Sequence, residues 1–180
     1  MRTPAGWCAY LRPRASDKAI EHRLIAQPTM RWQLRQAAAQ DEDLLYEIHR
    51  AAMREHVEAV WGWDEADQRA RFRAGFDPAG VSVIMTADKP VGLLRVDRRR
   101  DEVFLASVEL VPDAQRRGLG SEIIGSITRE AAQRRVPVRL QVLRKNPAQR
   151  LYERLGFRIV RETATHVEMV HASTDTGDRT

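Results

Sequence analysis

Leu110-Val111-Pro112-Asp113-Ala114-Gln115-Arg116-Arg117-Gly118-Leu119-Gly120-Ser121 is the stretch on which the reading of this chain turns. It follows a segment with strand character from Glu102 to Val111, which Pro112-Asp113 brings to an end. Beyond it, Ser121 is placed to cap a helix carrying Ile123, Ile124, Ile127 and Ala131 on one face. Strand, glycine turn, helix is the layout of an anion site at a helix N-terminus. Glycine reaches positive φ and lets the backbone approach a ligand, so that successive N–H groups converge on oxygens. Arg116 and Arg117 add positive charge beside it. Spacing excludes two commoner phosphate loops. A dinucleotide fingerprint needs glycine where Ile123 stands, and a Walker A loop needs lysine where Ser126 stands. Taken alone, the turn reads equally well as an ordinary left-handed turn between surface arginines.

Towards the N-terminus, the spacing predicts a strand over residues 31–36. It also predicts a helix capped by Asp41, with Leu44, Leu45, Ile48 and Ala52 at helical intervals, running on to His56 and Val57. Trp61-Gly62-Trp63 breaks that pattern, and Asp64 restarts a helix ending near Gly75. Two short strands follow, Val81 to Ala87 and Val91 to Val96, joined by Asp88-Lys89-Pro90, with a charged turn from Asp97 to Asp101. Towards the C-terminus, Pro137 blocks the long helix, and Val138, Leu140 and Val142 alternate as a strand. A short helix from Pro147 to Leu155 has Asn146 as its cap and Gly156 as its stop. Phe157 to Arg161 and His166 to Val170 read as closing strands. The fold class expected is α/β (α+β): a mixed, mostly antiparallel sheet with helices on both faces.

A chain of 180 residues, 43% hydrophobic and 31% charged, suits one globular domain with a single sizeable core. That domain is placed at residues 30–172. Residues 1–29 are read as a flexible leader or an over-called start, and residues 173–180 as a loose tail. No apolar run approaches the ~20 residues of a membrane span, and no secretory signal opens the chain. The one cysteine, Cys8, lies in the leader, which suits a reducing cytosol and leaves the domain without a thiol nucleophile. The net charge of +5 comes from scattered arginines without interleaved aromatics, so no nucleic-acid partner is expected. No His/Cys/Asp cluster has metal-ligand spacing, and no metal is expected.

The run Gln115 to Gly120 resembles the Gln/Arg-x-x-Gly-x-Gly/Ala signature of the GNAT acyl-CoA N-acyltransferase superfamily. Asn146-Pro147 and Leu151-Tyr152-Glu153-Arg154-Leu155-Gly156-Phe157 are similar to its second signature region, in the right order and at the usual separation. The resemblance spans roughly residues 30–171 and implies a sheet splayed after its central strand. It implies that Gln115, Arg116, Arg117, Gly118, Leu119 and Gly120, with Ser121, bind the diphosphate of acetyl-CoA, mostly through main-chain N–H groups. Leu110 and Val111 would offer main-chain hydrogen bonds to the pantetheine arm and thioester carbonyl, with Asn146 and Ala148 on the far side. Asn146 also fits a helix cap, and the two roles are compatible.

Transfer to an amine needs a neutral nucleophile, a polarised thioester and a proton for the leaving thiolate. Amines are largely protonated near neutrality, so a base acting through water is expected. Without a cysteine in the domain, direct attack in a ternary complex is favoured over an acyl-enzyme. The resemblance makes Tyr152 the acid, although helical spacing also places it for core packing. Two carboxylates compete for the base. Glu102 is preferred, because several superfamily members use a carboxylate near the start of this strand. Glu109 is the rival, or else a buried partner for an arginine. Their odd spacing puts them on opposite faces of the strand unless a bulge intervenes, and a base that is neither of them stays open. The resemblance implies that the link between the first two helices, with His56, Trp61, Trp63 and Asp64, forms one wall of the acceptor site, and these types suit an amine. The alternative is that the tryptophans are core and His56 a surface residue. His49 and His166 are given no role. Ala114 stands where many relatives carry an aromatic, which leans the acid role further onto Tyr152. The expected activity is N-acetyl transfer from acetyl-CoA to a small-molecule or peptide amine, by a monomer or homodimer. The alternative is a non-catalytic acyl-CoA-binding module of the same fold.

Overall fold

The computed structural model describes residues 32–173, so the leader, Cys8 and the tail beyond 173 lie outside the described residues. Seven strands form one sheet: β1 (Gln33–Gln36), β2 (Ser82–Thr86), β3 (Lys89–Arg98), β4 (Val103–Leu110), β5 (Val138–Leu143), β6 (Arg158–Glu162) and β7 (His166–His171). Their order is β1-β2-β3-β4-β5-β7-β6, and every neighbouring pair except β4–β5 is antiparallel. Four helices, α1 (Glu42–Trp61), α2 (Glu65–Gly75), α3 (Leu119–Gln133) and α4 (Ala148–Arg154), complete the fold. This is the mixed, mostly antiparallel architecture expected.

Alternation along the central strands divides the core in two. Leu94 and Leu105 pack with Ile123, Ile124 and Ile127 of α3 and Tyr152 of α4. Leu93 packs with Leu45 and Ile48 of α1 and Phe72 of α2 on the opposite face. Apolar side chains at successive positions of β3 are what a strand covered on both faces requires.

Local chemistry corrects several boundaries. Asp41 precedes α1 but does not cap it: its carboxylate binds Arg35 at 2.8 Å and accepts the Ala38 N–H at 2.7 Å. Leu44 faces outwards, while Leu45, Ile48 and His49 are buried. The link after α1 forms as its composition predicts. Gly62 takes φ 81°, and the Asp64 carboxylate accepts the Asp67 N–H at 2.8 Å to start α2. β2 and β3 are joined by Ala87-Asp88 alone, at φ 44° and 64°, the two positive values of a type I′ turn. Lys89 and Pro90 therefore already belong to β3, with Pro90 beside a register shift in the pairing.

Two irregularities of β4 create the site. β4 pairs with β5 only where Val103–Leu105 meets Val138–Leu140; beyond that both strands continue but part. A wedge opens through the sheet. On its other edge, Arg95 pairs with Ser107 and Val96 with Leu105, so Ala106 is an extra, bulged residue. The bulge shifts the alternation by one. Val103, Leu105, Val108 and Leu110 all join the α3 side, and Glu109 is turned towards α1. This is the exception the sequence left open: with one extra residue between them, an odd spacing no longer separates the faces of Glu102 and Glu109.

Gly92 holds β3 against this segment. A Cβ there would meet the Glu109 carbonyl oxygen at 2.3 Å and Leu110 Cδ2 at 2.8 Å. The first obstacle is backbone and cannot rotate away. Gly92→Ala is expected to lower stability by about 1–3 kcal/mol, the usual cost of overpacking. Urea unfolding, read as a lower midpoint at unchanged slope, checks this.

Candidate active site

Beyond the wedge, the chain turns at Gln115–Gly118 with Arg116 at φ 58° and Gly118 at φ 85°. Gly118 is the residue before α3, and the first N–H bonding back into that helix is Glu122, to the Gly118 carbonyl at 3.0 Å. Leu119, Gly120 and Ser121 therefore present the unpaired first-turn amides of a 15-residue helix, at the positive end of its dipole. Ser121 stands inside that first turn, so the cap is the left-handed glycine and not the serine. Leu119 is buried and anchors the turn, while the Arg116 and Arg117 side chains are exposed.

The main chain of β4 supplies one donor to the wedge rather than two. The Val111 N–H is bonded to the Val91 carbonyl at 2.9 Å, and the Val111 carbonyl accepts from Ala114. Antiparallel alternation then turns the N–H and C=O of Leu110 away from β3, towards the wedge. Gln115 Nε2 donates to that carbonyl at 2.8 Å, tying the turn to the strand end.

A cleft of about 220 Å³ occupies the wedge. His49, Ser107, Glu109, Asn146, Ala148 and Tyr152 line it, and so do Met53, Arg71, Phe72 and Arg95 from α1, α2 and β3. Asn146 Oδ1 accepts the Ala148 N–H at 2.9 Å and so acts as a cap, while its side chain also lines the cleft. Glu109 is the centre of a buried network. Oε2 lies 3.0 Å from His49 Nδ1, and Ser107 Oγ donates to Oε1 at 2.7 Å. Burial pushes the Glu109 carboxyl up, but the charge of His49 and the bonds from His49 and Ser107 hold it below the usual carboxylate range. Burial likewise pushes His49 down, and the Glu109 carboxylate more than reverses this, leaving His49 raised. The Tyr152 hydroxyl is pushed up by burial first and by the negative charge of Glu109 second.

The sequence model of the acetyltransferase (GNAT) family matches residues 43–157. The chain belongs to the GNAT acetyltransferase family. Among solved structures, it is similar to the PaiA N-acetyltransferase of Thermoplasma acidophilum in complex with coenzyme A. That match has TM-score 0.65 at 14% identity, over 79% of this chain and 99% of that one. PH1933 from Pyrococcus horikoshii matches with TM-score 0.62 at 18% identity, over 79% and 99%. The ribosomal-protein-S18-alanine N-acetyltransferase of Escherichia coli matches with TM-score 0.59 at 20% identity, over 83% and 98%. At these identities the likeness concerns the fold. No curated protein sequence matches significantly.

In this GNAT chain the two glutamates part company. Glu102 precedes β4, its carboxylate paired with Arg99 and with Arg139 Nε at 3.2 Å, and it does not line the cleft. Glu109 does. Of the expected acceptor wall, none lines the cleft. Asp64 caps α2, Trp63 Nε1 donates to Glu65 at 2.9 Å, Trp61 packs on the His166 ring at 5.7 Å, and His56 is half-buried on α1. His49, given no role from the sequence, and Ser107 stand beside Glu109 in the cleft, and both carry a signal in the sequence. His49 lies four residues after Leu45, on the buried stripe of α1, and Ser107 is two residues from Glu109 on one strand face. Among the described residues no three His, Cys, Asp or Glu side chains cluster as metal ligands, and no helix is long and apolar enough to cross a membrane.

Proposed function

We propose that this chain transfers an acetyl group from acetyl-CoA to a primary amine by direct attack in a ternary complex. One observation carries the reading: a single cleft runs through the sheet where β4 and β5 part, holding both the Glu109–His49 pair and Tyr152. The donor set suits coenzyme A. Gln115 to Ser121 offer converging amides and two arginines for a diphosphate, Leu110 an N–H for the pantetheine, and Asn146 a carboxamide opposite. The thioester supplies an activated acyl carbonyl. Glu109, positioned by Ser107 and His49, is the base: a proton from the amine enters at its carboxylate through water, and the pair holds it as imidazolium and carboxylate. Tyr152 donates its hydroxyl proton to the departing sulfur.

Thermal unfolding with acetyl-CoA, followed by thiol release over a panel of amines, tests this. At 100 times Kd the cofactor should stabilise the protein by about 2.7 kcal/mol. Gly118→Val forces a β-branched residue to φ 85° in the turn and should weaken that stabilisation by about tenfold in Kd, an energy of the size such strain costs. Stabilisation without thiol release on any amine would leave an acyl-CoA-binding module instead.

A further inference from the structure

Apolar side chains wall the acceptor half of the cleft. The sheet divides the cleft: the coenzyme turn and Tyr152 belong to the α3 side, while the half that faces α1 and α2 is bounded by Met53, Phe72 and Phe76. The charged side chains lining the cleft have partners within the protein. Arg71 Nε donates to Asp67 at 2.7 Å, Arg95 Nη1 to the Gly75 carbonyl at 3.4 Å, and His49 is paired with Glu109. Among the described residues Glu109 is the one carboxylate that lines the cleft, so a second ammonium on the acceptor would meet no second carboxylate. We infer that the acceptor is a monoamine whose substituent is apolar and uncharged, seated between Met53, Phe72 and Phe76. The inference rests on the transferase reading above and names the substrate class for that same site.

The sequence of the two helices sets this wall beside the base. Met53 follows His49 by four residues, one turn on along the same face of α1. Phe72 is the one large apolar side chain of α2, a helix otherwise made of polar residues, alanine and glycine. Its ring lies 5.4 Å from the His49 ring and stacks on Phe76 at 6.0 Å. Val81 and Leu93, both buried, pack with these phenylalanines and also line the cleft. Met53, Phe72 and Phe76 themselves are only half-buried. An amine nitrogen brought to Glu109 therefore carries its substituent along apolar surface that the fold leaves uncovered, and covering that surface favours binding in proportion to its area. A cleft of about 220 Å³ takes one ring-sized group, since benzene fits a cavity of about 150 Å³. A second ammonium at the same place would lose its water with no carboxylate to replace it.

The test uses matched acceptors with acetyl-CoA: ethylamine, propylamine, butylamine and pentylamine, with putrescine, which replaces the terminal methyl of pentylamine by an ammonium. The alkylamines share nearly one basicity, so differences among them report binding. In the wild type kcat/KM is expected to rise about fourfold per methylene, mainly through KM, the transfer value of a buried CH2. Pentylamine should exceed putrescine by about 30-fold or more, because the distal ammonium finds no partner there. Phe72→Ala and Met53→Ala should each lower the slope to about twofold per methylene or less. A purely structural loss would scale all the amines alike and leave the slope unchanged. The thermal shift given by acetyl-CoA reports that the fold is kept, and Met53 lies outside both core clusters, so its variant gives the answer if Phe72→Ala does not fold. A flat series, preference for putrescine, a slope that survives both substitutions, or one that follows acyl length instead of the amine overturns the inference and leaves the transferase reading standing. No thiol release with any amine overturns both.

Discussion

Glu109→Gln is expected to lower kcat/KM for amine acetylation by about 10²–10⁴-fold, the range a positioned general base contributes, and to leave stabilisation by acetyl-CoA in place. The substitution keeps the shape of the side chain and its bond to Ser107, and removes the proton acceptor. The pH dependence gives a second readout. The pair accepts a proton only after losing one, so activity falls as pH falls through its apparent pKa. That value belongs to the pair rather than to either residue. It lies above the ordinary histidine value of 6.5, because the carboxylate outweighs the effect of burial. In Glu109→Gln the burial stays and the charge is gone, so His49 drops, and the limb of any residual activity should move to lower pH. An unchanged limb with full activity would remove Glu109 from the mechanism.

The same shifts set a stability window. His49, raised on folding, contributes stability fully present below 6.5 and lost as pH rises through its folded value. Glu109, lowered on folding, contributes above 4.5 and loses that contribution as pH falls through its depressed value. The pair therefore stabilises the fold most between those two ordinary values. Activity, which needs the pair to have lost a proton, sets in on the alkaline side of that window.

Periodicity and turn chemistry made most of the fold legible. The Ile123, Ile124, Ile127 and Ala131 stripe, the Asp64 cap and the Gly156 stop each act over one or two turns, so local sequence carries them. The two features that make the site are not local. The Ala106 bulge shows only in the pairing of β3 with β4, and nothing in Leu105-Ala106-Ser107 announces it. The wedge depends on where β5 stops pairing with β4, more than thirty residues along the chain. The preference for Glu102 rested on where several superfamily members place a carboxylate base; strand position is legible in a sequence, while facing and reach are not. Asp64 and Trp63 are ambiguous for a related reason, since a cap and a hydrogen-bonding indole look the same in sequence as a recognition pair. The buried partner foreseen for Glu109 does exist, but it is His49 rather than an arginine.

Tyr152→Phe is expected to reduce kcat by about 10²-fold, the lower end for a positioned general acid, with little change in stability. The ring alone makes the packing: it meets Phe157 edge-on at 5.6 Å, and phenylalanine reproduces this. What is lost is the hydroxyl, whose proton is held tightly, first by burial and then by the Glu109 carboxylate nearby. At rest such a phenol is a poor donor. On the proposed mechanism, when the Glu109–His49 pair takes the proton of the amine, its net charge goes from −1 to zero, and the second of those two influences weakens as the sulfur begins to leave. Uptake at the base thus eases release at the acid. The consequence can be measured by changing the leaving group. An acyl donor whose thiol is more acidic needs less protonation, so the deficit of Tyr152→Phe should shrink with that donor, whereas the deficit of Glu109→Gln, set on the amine side, should persist. A Tyr152→Phe deficit equal for both donors would mean that the hydroxyl acts elsewhere than at the sulfur, and full retention of kcat would reduce Tyr152 to a core residue.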